Sequence, residues 1–395
     1  MKSLRLFPSV GYWQIQDKIF FDRKFYDGLV IYKDLWGGPF SVCLRKSKAP
    51  IPKFGLIEFV ENSTLISFIF LANEQKLNVK HLLEADVILA SADEYRNFVL
   101  SNLCRKQNLT CIYYIEYILE TRYQINFLSN NSLLKKIKTS IWLFLIEFQR
   151  IAAITSASGL QANGMPAFEA YGEKYKEKSR ALLYFDSRNT EDMLIQSKEL
   201  EKRLTYLTKN KPIRLAFSGR ISAMKGADDL IELARVLANK NIAFHLDIFG
   251  DGDLNQYVLD ALKDPQLDTL VEFHGAVDYQ TVLVPFIQEN VDVFICCHKQ
   301  SDPSCTYLET YSCGVPILGY DNKAHSGILK IADIGWQVPL GNIEALANKL
   351  IQIDLDRNEL KEKSIKAVEF ARLHTFENTF RNRIEQCREM VSHHV

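Results

Sequence analysis

The sequence lacks the marks of several large functional classes. Its 48 basic side chains balance 48 acidic ones, so the basic excess that is typical of nucleic-acid-binding proteins is absent and no nucleic-acid partner is expected. The longest apolar runs, such as residues 65–72, are far shorter than the roughly 20 residues that cross a bilayer. Neither a Walker loop nor a serine nucleophile elbow occurs. What remains is an ordinary globular composition over 395 residues, enough for two or three domains.

Cysteine pairs are also missing. The chain has 8 cysteines, but they are scattered and none forms a Cys-x-x-Cys motif. This pattern is typical of reduced thiols, because disulfide frameworks are dense and regularly spaced. Pro8 interrupts the amino-terminal stretch before the apolar core of a signal peptide could form. The sequence therefore predicts a cytoplasmic protein.

The charge balance hides an uneven distribution. Residues 1–208 carry 28 Lys and Arg against 22 Asp and Glu, a net charge of +6, so residues 209–395 carry 20 against 26, a net charge of −6. Such an asymmetry suggests that the two halves have different partners.

The second half alternates short apolar stretches with amphipathic ones. Strands are predicted at 213–218, 244–249, 271–273 and 291–296, and helices at 227–239, from 253 and at 280–289. This alternation is typical of a parallel, doubly wound α/β sheet.

The first half predicts a second open α/β domain. Its expected strands are 87–90, 111–115 and 151–155, and its expected helices are 93–107 and 133–148. Residues 209–212, Lys-Asn-Lys-Pro, read as a polar linker, so we expect an N-terminal domain over 1–210 and a C-terminal domain over 211–375. The last part, 376–395, is expected to be a helix that packs on the N-terminal domain.

Glycines and cations follow the first strand of the second domain. Gly219, Arg220, Lys225 and Gly226 stand just before a helix, where glycine lets the backbone approach an anion and two cations can neutralise a diphosphate. Taken alone, the segment also fits a solvated basic loop. The turn 250–252, Gly-Asp-Gly, follows the next strand at the edge where open α/β sheets bind ligands, but it lacks the third glycine of the dinucleotide fingerprint.

A carboxylate follows the fourth strand of this domain. Glu309 stands among mostly apolar and small residues that end at 313–316, Cys-Gly-Val-Pro, where glycine caps a helix and proline stops it. Such a carboxylate can accept hydrogen bonds from two sugar hydroxyls, although a surface glutamate is the ordinary alternative. The order favours a site, because the cation loop, the glycine turn, Phe273-His274-Gly275 and the Glu309 helix follow one another.

This ordered set resembles glycosyltransferase family 4, whose retaining enzymes have the two-domain GT-B fold and use nucleotide-diphosphate sugars. The resemblance is specific over residues 212–372 and architectural over 1–210. It implies two Rossmann-like, doubly wound domains that face a central cleft, with a C-terminal helix that crosses back to the first domain. It also implies sugar transfer to a glycan or lipid-linked acceptor in bacterial surface polysaccharide or lipopolysaccharide biosynthesis, with no cofactor and no metal.

The resemblance assigns roles to individual residues. Arg220 and Lys225, next to Gly219, would be catalytic residues that hold the donor diphosphate and stabilise it as it leaves. Glu309 would accept hydrogen bonds from the ribose hydroxyls. The backbone around Gly275 and Val277 would bind the nucleobase. Further donor contacts would come from Gly250 at a strand end and from the helix start at Thr306, Tyr307 and Leu308, whose N–H groups would face the phosphate or the donor sugar.

The chain departs from the family pattern at two places. The family has a glutamate eight residues before Glu309, where this chain has Ser301, followed by Asp302. Asp302 either takes over that catalytic position or caps the following helix. In the first domain, Glu116 stands where the family often has a histidine, as a catalytic or a structural carboxylate, and Gly11 is the counterpart of the acceptor-side glycine loop.

Two other patterns favour structural roles. Cys296, Cys297 and His298 are consecutive at a strand end, so their side chains alternate in direction, and buried thiols fit better than a metal site. Asn163 and Gly164 fit either a turn at the edge of the cleft or an ordinary surface turn, and we favour the surface turn.

The segment 133–148 combines Lys135, Lys136 and Lys138 with a strongly apolar stretch. We favour a core helix with a basic first turn, because the apolar residues surround the helix on nearly all sides. The segment also fits a helix that lies on an anionic membrane, which would make the protein peripheral on the cytoplasmic face.

Two other functions fit part of the same pattern. One is a sugar-nucleotide 2-epimerase with the GT-B architecture, which needs no acceptor. The other is a noncatalytic glycosyltransferase-like subunit that has lost the first glutamate. The combination of Arg220, Lys225 and Glu309 favours transfer.

Overall fold

The computed structural model describes residues 2–52, 55–60, 65–129, 131–175, 177, 180–207 and 211–392. The chain divides into two compact units. The first comprises Met1–Asn126, Asn130–Tyr184 and Glu377–Val395, and the second comprises Phe127–Ser129 and Phe185–Phe376.

The first unit is built on a parallel sheet. The strands before Phe185 are β1 (Leu4–Phe7), β2 (Trp13–Ile15), β3 (Lys18–Asp22), β4 (Phe40–Arg45), β5 (Leu56–Glu58), β6 (Ser67–Leu71), β7 (Val87–Ser91), β8 (Thr110–Ile115), β9 (Gly159–Asn163) and β10 (Ala181–Tyr184). Seven of them form a parallel sheet with the order β10-β9-β8-β7-β1-β4-β6. The central strand β7 is buried throughout, as a sheet covered on both faces requires. Strands β2, β3 and β5 form a small antiparallel sheet.

The helices before Phe185 connect these strands, and the last helix of the chain joins the same unit. They are α1 (Arg23–Trp36), α2 (Val99–Lys106), α3 (Leu119–Leu128), α4 (Leu133–Thr155) and α5 (Gly164–Tyr171), and the last helix is α14 (Phe376–Ser392). Gln161 on β9 binds Arg383 on α14, both through its amide nitrogen to the Arg383 carbonyl (2.9 Å) and through its amide oxygen to the Arg383 Nε (2.8 Å). The expected return of the C-terminal helix to the first domain is thus confirmed.

The second unit is a six-stranded parallel sheet with helices between the strands. Its strands are β11 (Ile213–Ser218), β12 (Phe244–Phe249), β13 (Val271–Gly275), β14 (Val293–Cys296), β15 (Ile317–Tyr320) and β16 (Gly335–Val338). Its helices are α6 (Ser197–Tyr206), α7 (Ala227–Asn239), α8 (Asn255–Ala261), α9 (Val284–Asn290), α10 (Thr306–Ser312), α11 (Lys323–Ile331), α12 (Ile343–Leu355) and α13 (Arg357–Leu373). The strand order is β13-β12-β11-β14-β15-β16. The order reverses between β11 and β14, and ligands bind open α/β sheets at such a switch point.

Apolar periodicity explains how the helices of this unit pack on its sheet. On α7, Leu230, Leu233, Ala234 and Leu237 recur at helical spacing and are buried against the sheet. The predicted α/β class, with a parallel sheet in each unit, is confirmed.

One predicted strand is wrong. Residues 151–155 continue α4 instead of forming a strand, and the strand β9 begins later, at Gly159. The buried face of α4 runs through this stretch at helical spacing, at Ile146, Arg150, Ala153 and Ile154. Arg150 is fully buried there, where its Nη1 donates to the Tyr117 carbonyl at 2.8 Å and its Nη2 donates to Glu147.

Helix α4 has two different apolar faces. Leu143, Ile146 and Ile154 lie on its buried face. The opposite face is exposed and apolar, at Leu134, Ile137, Ile141, Leu145 and Phe148. The favoured expectation of a core helix therefore holds for only one side of α4.

The boundary between the units differs from the expected one near 210. The structure groups residues 185–207 with the second unit, because α6 packs there and its buried Arg203 donates to the Cys313 carbonyl at 2.8 Å. Of the predicted linker, residues 209 and 210 lie outside the described residues. Within the described ranges, every helix is too short or too polar to cross a membrane.

Candidate functional site

Loops at the carboxyl edge of the second sheet are joined by backbone hydrogen bonds. In the loop 219–226, which follows β11, the Ile221 N–H donates to the Asp251 carbonyl in the loop after β12 (3.1 Å). The loop after β14 joins it from the other side, where the Lys299 N–H donates to the Met224 carbonyl (3.0 Å). The switch point of the sheet therefore carries one continuous set of loops.

Glycine permits this close approach. A Cβ built on Gly250, whose φ is 134°, would lie 1.8 Å from the Gly219 carbonyl oxygen. A Cβ on Gly226, whose φ is 71°, would lie 2.2 Å from the Cys297 carbonyl oxygen. Both positions combine a backbone conformation that favours glycine with contacts that exclude any side chain.

The two predicted cations of the first loop have different surroundings. The Lys225 Nζ lies 3.1 Å from Asp302 Oδ2, and both side chains are only 16% exposed. Arg220 is exposed. The structure thus brings Lys225 and Asp302 together, 77 residues apart in the chain.

Asp302 does not cap the following helix. The N-cap of α10 is Cys305, which makes no side-chain capping bond, so the capping interpretation is wrong. Next to it, the buried Ser301 uses its hydroxyl oxygen to accept a hydrogen bond from the Lys323 N–H at the start of α11 (3.1 Å).

Glu309 is held by a residue that the sequence analysis did not find. Arg188 donates through Nε to Glu309 Oε1 at 2.6 Å, and its guanidinium lies 3.8 Å from the centre of the Tyr279 ring. Burial lowers the pKa of Arg188, but the Glu309 carboxylate outweighs this and the net shift is upward. The Glu309 side chain is 11% exposed, and its bond to Arg188 fixes the orientation of the carboxylate.

The helix start contributes mainly to the core. Tyr307 and Leu308 are buried and Thr306 is half-buried. The Tyr307 N–H donates to the Ser304 carbonyl (3.3 Å), and its ring stacks on His325 with 5.6 Å between ring centres.

The predicted nucleobase segment lies at the end of β13. Gly275 has a φ of 68°, and its carbonyl accepts a hydrogen bond from the Gly250 N–H (2.8 Å). Val277, two residues later, is half-buried.

A buried histidine, to which the sequence pattern gave only a structural role, lies next to these loops. His298 is fully buried, and none of the described residues forms a hydrogen bond with either of its ring nitrogens. Burial, then the charge of Lys225, holds the pKa of His298 well below its usual value, so its ring is neutral. The neighbouring Cys296 and Cys297 are buried free thiols, as expected.

The first-unit candidates lie at the carboxyl edge of the first sheet. Glu116 directly follows β8, and its N–H donates to Asp93 Oδ2 at 2.8 Å. Gly11 follows β1, and a Cβ there would lie 2.6 Å from the Arg45 carbonyl oxygen. Asn163 and Gly164 do not form a surface turn: both are buried where β9 passes into α5.

A protein-family model covers much of the second unit. Residues 199–369 match the model described as "Glycosyl transferases group 1". The amylovoran biosynthesis glycosyltransferase AmsK of Erwinia amylovora is 26% identical to this chain over 159 residues. That alignment covers 36% of this chain and 36% of the relative's length, so the sequence similarity spans about a third of each protein.

Solved structures resemble the chain over nearly its full length. Anabaena Alr3699/HepE in complex with UDP superimposes with a TM-score of 0.66 at 14% identity, covering 98% of this chain and 100% of that chain. WaaG, a glycosyltransferase involved in lipopolysaccharide biosynthesis, superimposes with a TM-score of 0.58 at 13% identity, covering 98% and 99%. At these identities the likeness establishes the fold.

The sequence match and the fold point to the same family. The resemblance inferred from the cation loop and the Glu309 helix is confirmed where the family model applies. Residues 199–369 match the group 1 glycosyl transferase model, and the chain has the fold of GT-B glycosyltransferases.

Proposed function

We propose that the chain is a retaining glycosyltransferase that moves a sugar from a nucleotide-diphosphate sugar to a glycan or lipid-linked acceptor. The observation that carries the proposal is the set of loops at the switch point, which brings Lys225 and Asp302 within 3.1 Å of each other. The names of AmsK and WaaG, which refer to amylovoran and lipopolysaccharide biosynthesis, support a role in the assembly of a bacterial surface polysaccharide or lipopolysaccharide.

Electrostatic stabilisation of the leaving group is the chemical task of the loops. As the sugar–phosphate bond breaks, negative charge grows on the diphosphate, and Arg220 and Lys225 are the cations placed to bind it. Lys225 is oriented beforehand by Asp302. These two cations supply the stabilisation that a metal ion would otherwise provide, so we expect transfer to need no metal and no cofactor.

Glu309 is suited to the ribose of the donor. Arg188 occupies Oε1 of its carboxylate, and a carboxylate can accept further hydrogen bonds. The backbone at Gly250, Gly275 and Val277 would surround the base. Because Anabaena HepE was solved with UDP, a uridine nucleotide is the first donor to test.

The acceptor side is assigned to the first unit. Gly11 and Glu116 lie at the carboxyl edge of the first sheet, where an acceptor would bind. In a retaining transfer the departing phosphate oxygen can take the acceptor proton. Glu116 would then orient the acceptor or stabilise the positive charge that develops on its attacking oxygen.

Alanine substitutions test the donor site. Lys225→Ala and Glu309→Ala are each expected to lower turnover by about 100-fold or more, because each removes a group that contacts the donor. The measurement is release of nucleoside diphosphate from a panel of sugar nucleotides, with and without a lipid-linked acceptor. Lys240→Ala and Glu344→Ala are matched controls, since they break an ion pair of 3.2 Å elsewhere in the second unit.

The same assay separates the alternatives. A transferase needs acceptor for its full rate, an epimerase converts the sugar without acceptor, and a noncatalytic subunit releases nothing. Near-normal donor turnover in Lys225→Ala or Glu309→Ala would overturn the assignment of the site.

We also propose that α4 binds an anionic membrane surface, which would bring the enzyme to lipid-linked acceptors. Its exposed apolar residues recur at spacings of three and four, so they form one stripe along the helix, at Leu134, Ile137, Ile141, Leu145 and Phe148. Lys135, Lys136 and Lys138 lie in the first turns of the same helix. An apolar stripe with basic residues beside it is typical of helices that lie in the membrane interface.

Vesicle flotation tests the membrane surface. The protein is expected to float with vesicles that contain phosphatidylglycerol at low salt and to float less as salt rises, because each lysine contributes about 1 kcal/mol near an anionic surface. Replacing Lys135, Lys136 and Lys138 by alanine should reduce flotation, and Ile141→Gln with Leu145→Gln should reduce it at any salt concentration.

The control replaces three exposed lysines of the second unit, Lys198, Lys202 and Lys263, by alanine. It should leave flotation unchanged. If the unaltered protein fails to float with anionic vesicles at low salt, α4 has no membrane role.

A further inference from the structure

We propose that the second unit contains a zinc-binding site formed by His245, Asp247 and Glu272, with His274 as a supporting residue. The site lies on the face of the β12–β13 pair of strands. It is separate in chemistry from the Lys225 loops, because it offers ligands for a cation and not for a diphosphate.

Strand geometry brings these side chains together. His245 and Asp247 are two residues apart on β12, so they project from the same face of the sheet. Glu272 on β13 is the register partner of Asp247, and His274 follows two residues later on that strand. Four side chains with metal-binding atoms therefore share one face of two adjacent parallel strands.

The distances fit a metal ion. The His245 Nε2 lies 3.6 Å from Asp247 Oδ1 and 4.0 Å from Glu272 Oε2. One ligand atom from each of these three residues lies within 4.8 Å of the other two. Tetrahedral zinc with bonds of about 2.0–2.2 Å places its ligand atoms about 3.4 Å apart. Small rotations of the three side chains would bring their ligand atoms to this spacing.

His274 holds the central carboxylate. Its Nε2 lies 2.7 Å from Asp247 Oδ1, and its ring stacks on Phe249 with 4.3 Å between ring centres. The Asp247 side chain is only 6% exposed, and its Oδ1 lies between the ring nitrogens of His274 and His245. Partners of this kind orient metal ligands and tune their affinity.

The charge of the cluster favours a divalent cation. Asp247 and Glu272 face each other directly across the strand pair, an arrangement in which like charges repel. Histidine binds metal ions in its neutral form, so it adds ligand atoms without adding charge. A divalent cation would balance the two carboxylates.

The cluster is open to solvent through a groove. His245, Asp247 and Glu272 line a cavity of about 940 Å³ that also borders Arg214 and Phe286. An ion can therefore enter without unfolding of the sheet. Two carboxylates and an imidazole favour zinc over magnesium and calcium, which prefer all-oxygen ligand sets.

Zinc titration tests the site. The protein, without a histidine tag and with His393 and His394 replaced by alanine to remove a competing pair, is stripped with chelator and titrated with Zn²⁺ against a chromophoric chelator. We expect one tightly bound ion per chain and a higher melting temperature with zinc, because binding to the folded state stabilises it. His245→Gln with Glu272→Gln should weaken binding by more than tenfold, since even supporting residues contribute 10- to roughly 100-fold.

The control changes one histidine and one glutamate of the first unit, His81→Gln with Glu58→Gln, and should bind zinc as before. Both replaced ligands line the groove, so the double variant is expected to fold, and its melting temperature without zinc checks this. Equal binding by the double variant, or no binding to the unaltered protein at micromolar zinc, would overturn the site. The titration uses neither donor nor acceptor, so its outcome is independent of the proposed transfer reaction.

Discussion

At the residue scale, the glycines of the donor loops leave the least freedom for substitution. Gly250 has its φ at 134° and would place a Cβ 1.8 Å from the Gly219 carbonyl oxygen. Gly341 has a φ of 75°, but its Cβ would meet nothing within 4 Å. A side chain at Gly341 would therefore meet backbone strain alone, whereas a side chain at Gly250 would meet both backbone strain and a steric clash.

Alanine at these two positions should have different costs. Gly341→Ala is expected to lower the free energy of unfolding by about 1–2 kcal/mol, the cost of a left-handed residue with a Cβ. Gly250→Ala adds the displacement of the Gly219 loop, so it should cost more and also raise the KM for the donor. Urea unfolding and donor kinetics measure both effects. Equal losses of stability, with an unchanged KM, would show that the two loops do not depend on their contact.

Some residues of the candidate site stand out in the sequence and others do not. Lys225 and Glu309 stand in short motifs at strand ends, and a motif is a local pattern that a sequence displays directly. Arg188 reaches Glu309 across 121 residues, and no spacing rule relates the two. Asp302 is an intermediate case. The sequence identified both Asp302 and Lys225 as candidates, but it did not show that the two side chains pair.

At the element scale, some strands were predictable because parallel strands are short apolar runs. The predictions located β7 and β8 in the first sheet and β11 to β14 in the second, and they missed the other strands of both sheets. β11 and β12 begin and end at the predicted residues. The error at 151–155 has the same origin: the end of α4 is also a short apolar run, and length and periodicity do not distinguish the two over five residues. In the structure, the buried face of α4 continues through this stretch at Ala153 and Ile154, and burial is not visible in the sequence.

Helix α4 shows how composition can mislead about burial. Its apolar residues surround the helix nearly completely, which favoured a core location. In the structure, Leu143 and Ile146 are buried while Ile141 and Leu145 are exposed. Only the tertiary packing decides which of two apolar faces is covered, and the exposed face is the reason for the membrane proposal.

At the scale of the whole molecule, net charge locates the anion chemistry poorly. The half of the chain after residue 208 carries −6 but contains Arg220 and Lys225, the proposed diphosphate cations. Electrostatic binding depends on charges within about 10 Å at moderate salt, so local cations decide. The basic half contributes its three lysines at the start of α4 to the proposed membrane surface.

Buried histidines predict that the protein loses stability in mild acid. Burial lowers the pKa of His325 and of His374 to about 4, and burial, Lys225 and His325 lower that of His298. A histidine whose folded pKa lies below its unfolded value near 6.5 contributes stability that is full above pH 6.5 and is lost as pH falls toward 4.

The free energy of unfolding should therefore fall between pH 7 and pH 5, by up to about 1.4 kcal/mol per pH unit for each buried histidine. Urea titrations at pH 7, 6 and 5 measure this slope above the range in which most carboxylates titrate. His374→Phe keeps a ring against Phe185 and Phe370, whose ring centres lie 5.0 and 4.5 Å from that of His374, and removes one titrating group, so it should make the slope shallower. An unfolding free energy that is the same at pH 7 and pH 5 would mean that these rings are protonated in the folded protein, and that their burial does not exclude the charge.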